Sequence, residues 1–178
     1  MDISLNYGKS QLSVSLPDTL DVKVIRKPEM PLLDDPVAAL EAAFANPDGG
    51  APLAELAAGA TTACILICDI TRPVPNGIFL APLLRALLAA GLDKTNITIV
   101  VATGLHRPNG GDELAELVGD PWVLENFRVE NHFARDDAAH VSLGVTKSGT
   151  VVKIDKRFVN ADVRIATGLV EPHFMAGW

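Results

Sequence analysis

Two apolar runs in this chain open into the same four residues. Ile97–Val101 leads into Ala102-Thr103-Gly104-Leu105, and Val163–Ala166 ends on the first residue of Ala166-Thr167-Gly168-Leu169. A third run, Cys64–Cys68, ends in Asp69-Ile70-Thr71-Arg72-Pro73. Short unbroken apolar runs suit strands buried on both faces of a parallel sheet. Leu80, Leu83, Leu84, Leu87 and Leu88 follow one run at helical spacing, and Gly91 closes them. Strand, loop and helix in that succession predict an α/β fold with an open, mostly parallel sheet flanked by helices. Such sheets bind ligands in the crevice past the carboxyl ends of their strands. All three loops would lie there.

Residues 1–28 read differently. Leu5, Leu12, Val14 and Leu16 alternate with polar neighbours, Gly8 marks a hairpin, and Val22, Val24 and Ile25 predict a third short strand ended by Pro28. This is a small antiparallel β appendage at the N-terminus. Asp35 as N-cap and Pro36 at the first helical position start a helix with Val37, Leu40 and Phe44 as its apolar stripe. A short helix is expected over Pro52–Ala58, ahead of Gly59, and another between Asp112 and Gly119. Asn76-Gly77 opens the leucine-rich helix, with Pro82 near its start. Short strands are expected at Phe127–Glu130, Val141–Val145 and Thr150–Ile154, with a turn at Ser148-Gly149.

Composition narrows the partners. The chain has 178 residues, enough for one domain with a sizeable core. A net charge of −7 argues against nucleic acid or an anionic membrane surface. An anionic substrate must therefore be held by local positive groups. No apolar stretch reaches the roughly 18 residues that a membrane span needs. The first residues lack the basic and apolar regions of a signal peptide, which implies a cytoplasmic protein. Cys64 and Cys68 read as small core residues facing one side of a strand.

The candidate chemistry sits in the three loops. His106 and His173 each follow one Ala-Thr-Gly-Leu copy, and Pro108 and Pro172 stand close by. An imidazole exchanges a proton near neutral pH with little tuning. Two of them about one small ligand suit a reaction symmetric about a stereocentre, as in a racemase or epimerase. The alternative is that each histidine merely belongs to its loop. Gly104 and Gly168 would let the chain turn sharply at the strand ends, and Thr103 and Thr167 add hydroxyls there. Arg72 offers a planar fork for a carboxylate or phosphate. Asp69 can accept from an imidazole or a ribose hydroxyl, or pair with Arg72. Glu171 would orient a histidine or face water. His132 and His140 lack the Cys or carboxylate spacing of a metal site, and no metal ligand is assigned; Asp136 and Asp137 read as solvated turn residues.

Three motifs carry a family resemblance: D-I-T-R-P at 69–73, T-G-L-H-R-P at 103–108 and G-L-V-E-P-H-F-M-A-G-W at 168–178. In this order they resemble the N-terminal domain of the nickel-pincer-dependent lactate racemase family. The resemblance covers effectively the whole chain, so residues 1–178 read as the N-terminal α/β domain of a protein whose C-terminal domain is missing here. It implies a racemase or epimerase of a small 2-hydroxy acid. Its implied cofactor is a nickel pincer pyridinium mononucleotide that takes a hydride from the substrate α-carbon and returns it, through a 2-keto acid. It implies catalytic bases at His106 and His173, acting on the hydroxyl. It implies cofactor contacts at Asp69, Ile70, Thr71 and Arg72, with Arg72 also near the substrate. The family's cofactor lysine and nickel-ligating histidine would fall past residue 178. The chain alone is therefore expected to be inactive and to hold no nickel. Two other readings remain: a catalytically inactive small-anion or cofactor-binding module, and a nickel-independent hydro-lyase using the same bases.

Overall fold

The computed structural model describes residues 1–178 apart from 27, 174–176 and 178. The chain divides into two compact units, Met1–Leu32 and Leu33–Trp178. In the first, β1 (Asp2–Tyr7) and β2 (Ser10–Ser15) form an antiparallel hairpin, turned at Gly8 with φ +57°. The third strand expected at 22–25 does not form. Ile25 is 86% exposed, and without a neighbouring edge or a face to bury, a short apolar run has no reason to extend into a ladder.

The second unit carries the sheet. Its elements are α1 (Pro36–Ala45), α2 (Leu53–Leu56), β3 (Ala63–Ile67), α3 (Asn76–Ala89), β4 (Ile97–Val101), α4 (Asp112–Val118), α5 (Pro121–Asn126), β5 (Arg128–Asn131), β6 (His140–Val145), β7 (Val151–Asp155), α6 (Lys156–Val159) and β8 (Val163–Ala166). Four strands pair in the order β5-β4-β3-β8, all parallel. The expected parallel sheet is therefore present. α1 starts as expected: the Asp35 carboxylate accepts from the amides of Val37 and Ala38, and Pro36 follows it. β6 and β7 form a separate antiparallel pair. α5 and α6 escape periodicity because they are only a turn or so long.

Strand alternation sorts the core. Ile65, Ile67, Ile97, Ile99 and Val101 point to one face and pack with Leu80, Leu84 and Leu87 of α3, all fully buried. On the other face, Cys64, Val100 and Ala161 form a smaller cluster with Leu66 and Phe158. Cys68 lies past the end of β3, so it does not share a strand face with Cys64. Burial pushes the Cys64 thiol up to about 11, with Asp155 adding to the rise, so it is protonated and inert at neutral pH. Gly77 has a packing reason: a Cβ there would stand 2.9 Å from the carbonyl oxygen of Gly119, so the start of α3 lies directly against the end of α4.

The start of the sheet is stitched by one carboxylate. Asp162 accepts from the amides and hydroxyls of both Thr61 and Thr62, at 2.8 to 3.0 Å, tying the entry of β8 to that of β3. Those bonds, the Thr61 amide first, hold Asp162 down to about 2. A depressed folded pKa means stability present above the unfolded value, near 3.9, and lost as pH falls through the folded one. Asp162→Asn should therefore lower the Tm at pH 7 and flatten its fall between about pH 4 and pH 2. Superimposable Tm-against-pH curves for the two proteins would sink this assignment.

Candidate active site

The chain runs outward from β3 through β4 to β5 and then returns to pair β8 on the other side of β3. That reversal makes the carboxyl end of β3 and β8 the switch point where an open sheet leaves a crevice. The Asp69–Arg72 loop leaves β3 there, and the Thr167–His173 segment leaves β8. Arg72 Nε meets Glu171 Oε1 across it at 3.1 Å, both side chains about a third exposed. Glu171 thus pairs with Arg72. A half-exposed pair of this kind contributes little stability and can exchange partners.

The β3 loop folds around Asp69. Its Oδ1 accepts from the Thr71 amide at 3.1 Å and the Thr71 hydroxyl at 2.5 Å, an Asx turn that reverses the chain. Its Oδ2 lies 2.5 Å from Nδ1 of His106, which follows β4. The two residues are 37 apart in sequence and meet because β3 and β4 are neighbours. Burial would raise the Asp69 carboxyl, but bonds from Thr71 and His106 outweigh it and hold it below the usual carboxylate range. An ionised carboxylate only accepts, so Nδ1 carries the hydrogen, and Nε2 is the acceptor nitrogen of the neutral ring. Nε2 makes no hydrogen bond among the described residues, on a side chain 56% exposed. The pair orients the imidazole and leaves its second nitrogen accessible, an arrangement that can serve a general base.

Asn109, 3% exposed, locks the two loops together. Its Oδ1 accepts from the Ile70 amide at 3.3 Å, and its Nδ2 donates to Glu113 at 2.9 Å. Its backbone exchanges two bonds with the Asn131 side chain at the end of β5. Glu113 in turn takes both terminal nitrogens of Arg107, which holds its carboxyl down to about 2. Sequence reading passed over Asn109, because Asn-Gly-Gly looks like any turn; its burial was the missing signal.

The repeated Ala-Thr-Gly-Leu segments have structural work. Thr103 Oγ1 donates to the His132 carbonyl at 2.5 Å, and Thr167 Oγ1 donates to the Leu66 carbonyl at 2.9 Å. Both hydroxyls tie strand ends to a neighbouring chain. Gly104, at φ +58°, needs its glycine; Gly168 has no left-handed φ, so the sharp turn expected there is absent. His173 is half-buried on the segment after β8, where its backbone exchanges two bonds with Gly177 at 2.7 and 2.8 Å. Residues 174–176 and 178 of that motif lie outside the described residues. Cys68 stands in the crevice. Burial first, then Asp69 and Glu171, push its thiol up, while Arg72 and the Leu169 amide oppose them. It is therefore not a thiolate nucleophile at neutral pH. A cavity of about 540 Å³ lies between α1 and α3, and none of these residues lines it.

A parallel α/β sheet that sets an Asp-oriented histidine and an arginine at the carboxyl ends of its strands has the architecture of a ligand-binding α/β domain. Comparison with known proteins makes it specific. The lactate racemase N-terminal domain family matches residues 7–178, and the chain belongs to that family. It is 35% identical over 183 residues to the lactate racemase of Thermoanaerobacterium thermosaccharolyticum, covering 99% of this chain and 42% of that protein. It is 38% identical over 139 residues to the lactate racemase of Lactiplantibacillus plantarum, covering 78% of this chain and 32% of that protein. The structure of the lactate racemase apoprotein from T. thermosaccharolyticum superposes with a TM-score of 0.78 at 33% identity, over 98% of this chain and 40% of that one. The chain thus spans about two fifths or less of the relatives it matches.

Proposed function

We propose that this chain is the N-terminal part of a racemase or epimerase of a small 2-hydroxy acid, lactate or a near relative. The observation that carries the reading is the Asp69–His106 pair, which fixes Nδ1 of the imidazole on the carboxylate and leaves the exposed ring's Nε2 for a ligand. In this reading His106 takes the substrate hydroxyl proton from one side, and His173 serves the opposite stereoisomer. Arg72 exchanges Glu171 for the substrate carboxylate, which its fork fits.

The nickel pincer mononucleotide belongs to the same reading. The loop suits its anionic end: Arg72 offers a guanidinium, Ile70 is a half-buried apolar neighbour, and Thr71 holds the turn by donating its hydroxyl to Asp69. Asp69 would act there through His106, since both its oxygens are already engaged. When bound, the cofactor supplies an acceptor for the α-hydrogen as hydride. Its lysine and nickel ligand are assigned to the part of the relatives' length that this chain does not span. Among the described residues, no three His, Cys, Asp or Glu side chains are grouped to hold a metal ion. Leu105, Phe133, Leu169 and Val170, all exposed on the strand-end loops, support a covering C-terminal domain that excludes water. No helix among the described residues is long and apolar enough to cross a membrane, and both cysteines are free, which suits a cytoplasmic protein.

The test uses the gene product that carries this chain, made together with the cofactor-making enzymes. D-Lactate and other D-2-hydroxy acids should lose optical purity, and His173→Ala should abolish the loss. Retained optical purity across the panel with nickel bound would overturn the isomerase reading in favour of an inactive binding module. Activity without nickel would favour the hydro-lyase.

A further inference from the structure

His132 and His140 form a second histidine pair away from Arg72 and the β3 loop. Their rings meet edge to face, with centroids 4.9 Å apart and planes at 83°. The tautomers follow from their partners. His140 Nδ1 is 2.7 Å from the Asp136 carbonyl oxygen, which can only accept, so that nitrogen carries hydrogen. His132 Nδ1 is 3.1 Å from Oδ2 of Asp155. Both Asp155 oxygens already accept from the Arg157 guanidinium, at 2.9 and 2.5 Å. The carboxylate is therefore ionised and accepts, and His132 Nδ1 carries hydrogen too.

With hydrogen on both Nδ1 atoms, the Nε2 atoms are the acceptor nitrogens of the neutral rings, and they face each other at 3.5 Å. Two acceptors have no reason to face each other unless something positive joins them. A direct N–H···N bond would be long at this distance and would need an extra proton. One metal ion fits the spacing better. Two nitrogens at 2.0–2.1 Å from a tetrahedral ion stand about 3.4 Å apart. Metal-bound imidazoles also characteristically donate their other N–H to a carboxylate or a backbone carbonyl, which is what Asp155 and Asp136 provide. The nearby Lys153 ammonium is neutralised by Asp137 at 2.7 Å.

We propose that His132 and His140 bind one divalent transition-metal ion of the zinc class through their Nε2 atoms, with water or an outside donor completing the shell. Sequence spacing missed it because the supporting carboxylate, Asp155, comes 23 residues after His132. The site is independent of the pincer nickel and of the racemase reading. Loading it would brace His132, whose carbonyl takes the Thr103 hydroxyl three residues before His106.

The test is zinc titration of the 15N-labelled chain, following the imidazole nitrogens by long-range heteronuclear NMR. One equivalent of Zn²⁺ should shift Nε2 of His132 and His140 together. Calorimetry should show one site, weakened at least tenfold in His140→Ala and unchanged in His106→Ala. If zinc moves neither Nε2, or moves His106 or His173 instead, the proposal is wrong. A metal-free spectrum with hydrogen on either Nε2 that zinc does not alter would also overturn it. The unsubstituted chain decides the matter even if His140→Ala fails to fold.

Discussion

Asp69→Asn should slow the racemisation proposed for the loaded full-length protein by about 10²–10⁴-fold, with most of the loss in kcat. The size is that of a base held in the wrong tautomer. Asparagine can turn its NH₂ toward His106, and Nδ1 would then have to accept. The hydrogen would move to Nε2, the nitrogen that takes the substrate proton in the proposed reading. The pH sense follows from the depressed Asp69 carboxyl: its grip on Nδ1–H is complete above about pH 4 and lost only as pH falls through the lower folded value. The same change is visible without any activity, as a transfer of the His106 imidazole hydrogen between its two nitrogens in the 15N spectrum of this chain. An Asp69→Asn enzyme within a few-fold of the parent would remove Asp69 from the mechanism. An unmoved hydrogen would remove the tautomer argument while leaving the racemase reading standing.

Arg157→Leu should cost about 3 kcal/mol at pH 7. Arg157 donates to both oxygens of Asp155, to Glu130 at 2.6 Å and to the Asn131 carbonyl at 3.2 Å. Asp155 is only 6% exposed, so removing the guanidinium leaves a buried carboxylate with His132 as its remaining side-chain partner. In the parent, Asp155 has a depressed folded pKa. Its stabilisation is present above the unfolded value near 3.9 and lost only in strong acid. In the variant burial is less opposed, the carboxyl rises, and protonation relieves the unpaired charge. The deficit should therefore be largest at neutral pH and shrink towards pH 4, as measured by urea unfolding at several pH values. A deficit that stays constant across that range would mean that Arg157 acts through packing alone.

Periodicity and turn chemistry located β3, α3, β4 and β8 because each is a local statement. A short run, unbroken and apolar in β3 and interrupted only by Thr98 in β4 and Arg164 in β8, reads as a strand, and leucines at three- and four-residue spacing read as a helix. The same signals failed at residues 22–25, where apolar residues had nothing to pair with, and at α5 and α6, which are too short to show a period. His106, His173 and Arg72 stood out because unusual side chains followed strand ends. Asn109 did not, since nothing local distinguishes an interior asparagine from one in a turn.

Local pattern along the chain is thus enough for the strands, the helix between them, and the three loops that hold the candidate residues, because hydrogen bonding and apolar spacing act over a few residues. Partnership is not local. Asp69 reaches His106 across 37 residues, Asp155 reaches His132 across 23, and Asp162 reaches Thr61 across 101. Strand order alone brings those pairs together. A carboxylate settles which nitrogen of an imidazole is the base only once the sheet has set the two side by side.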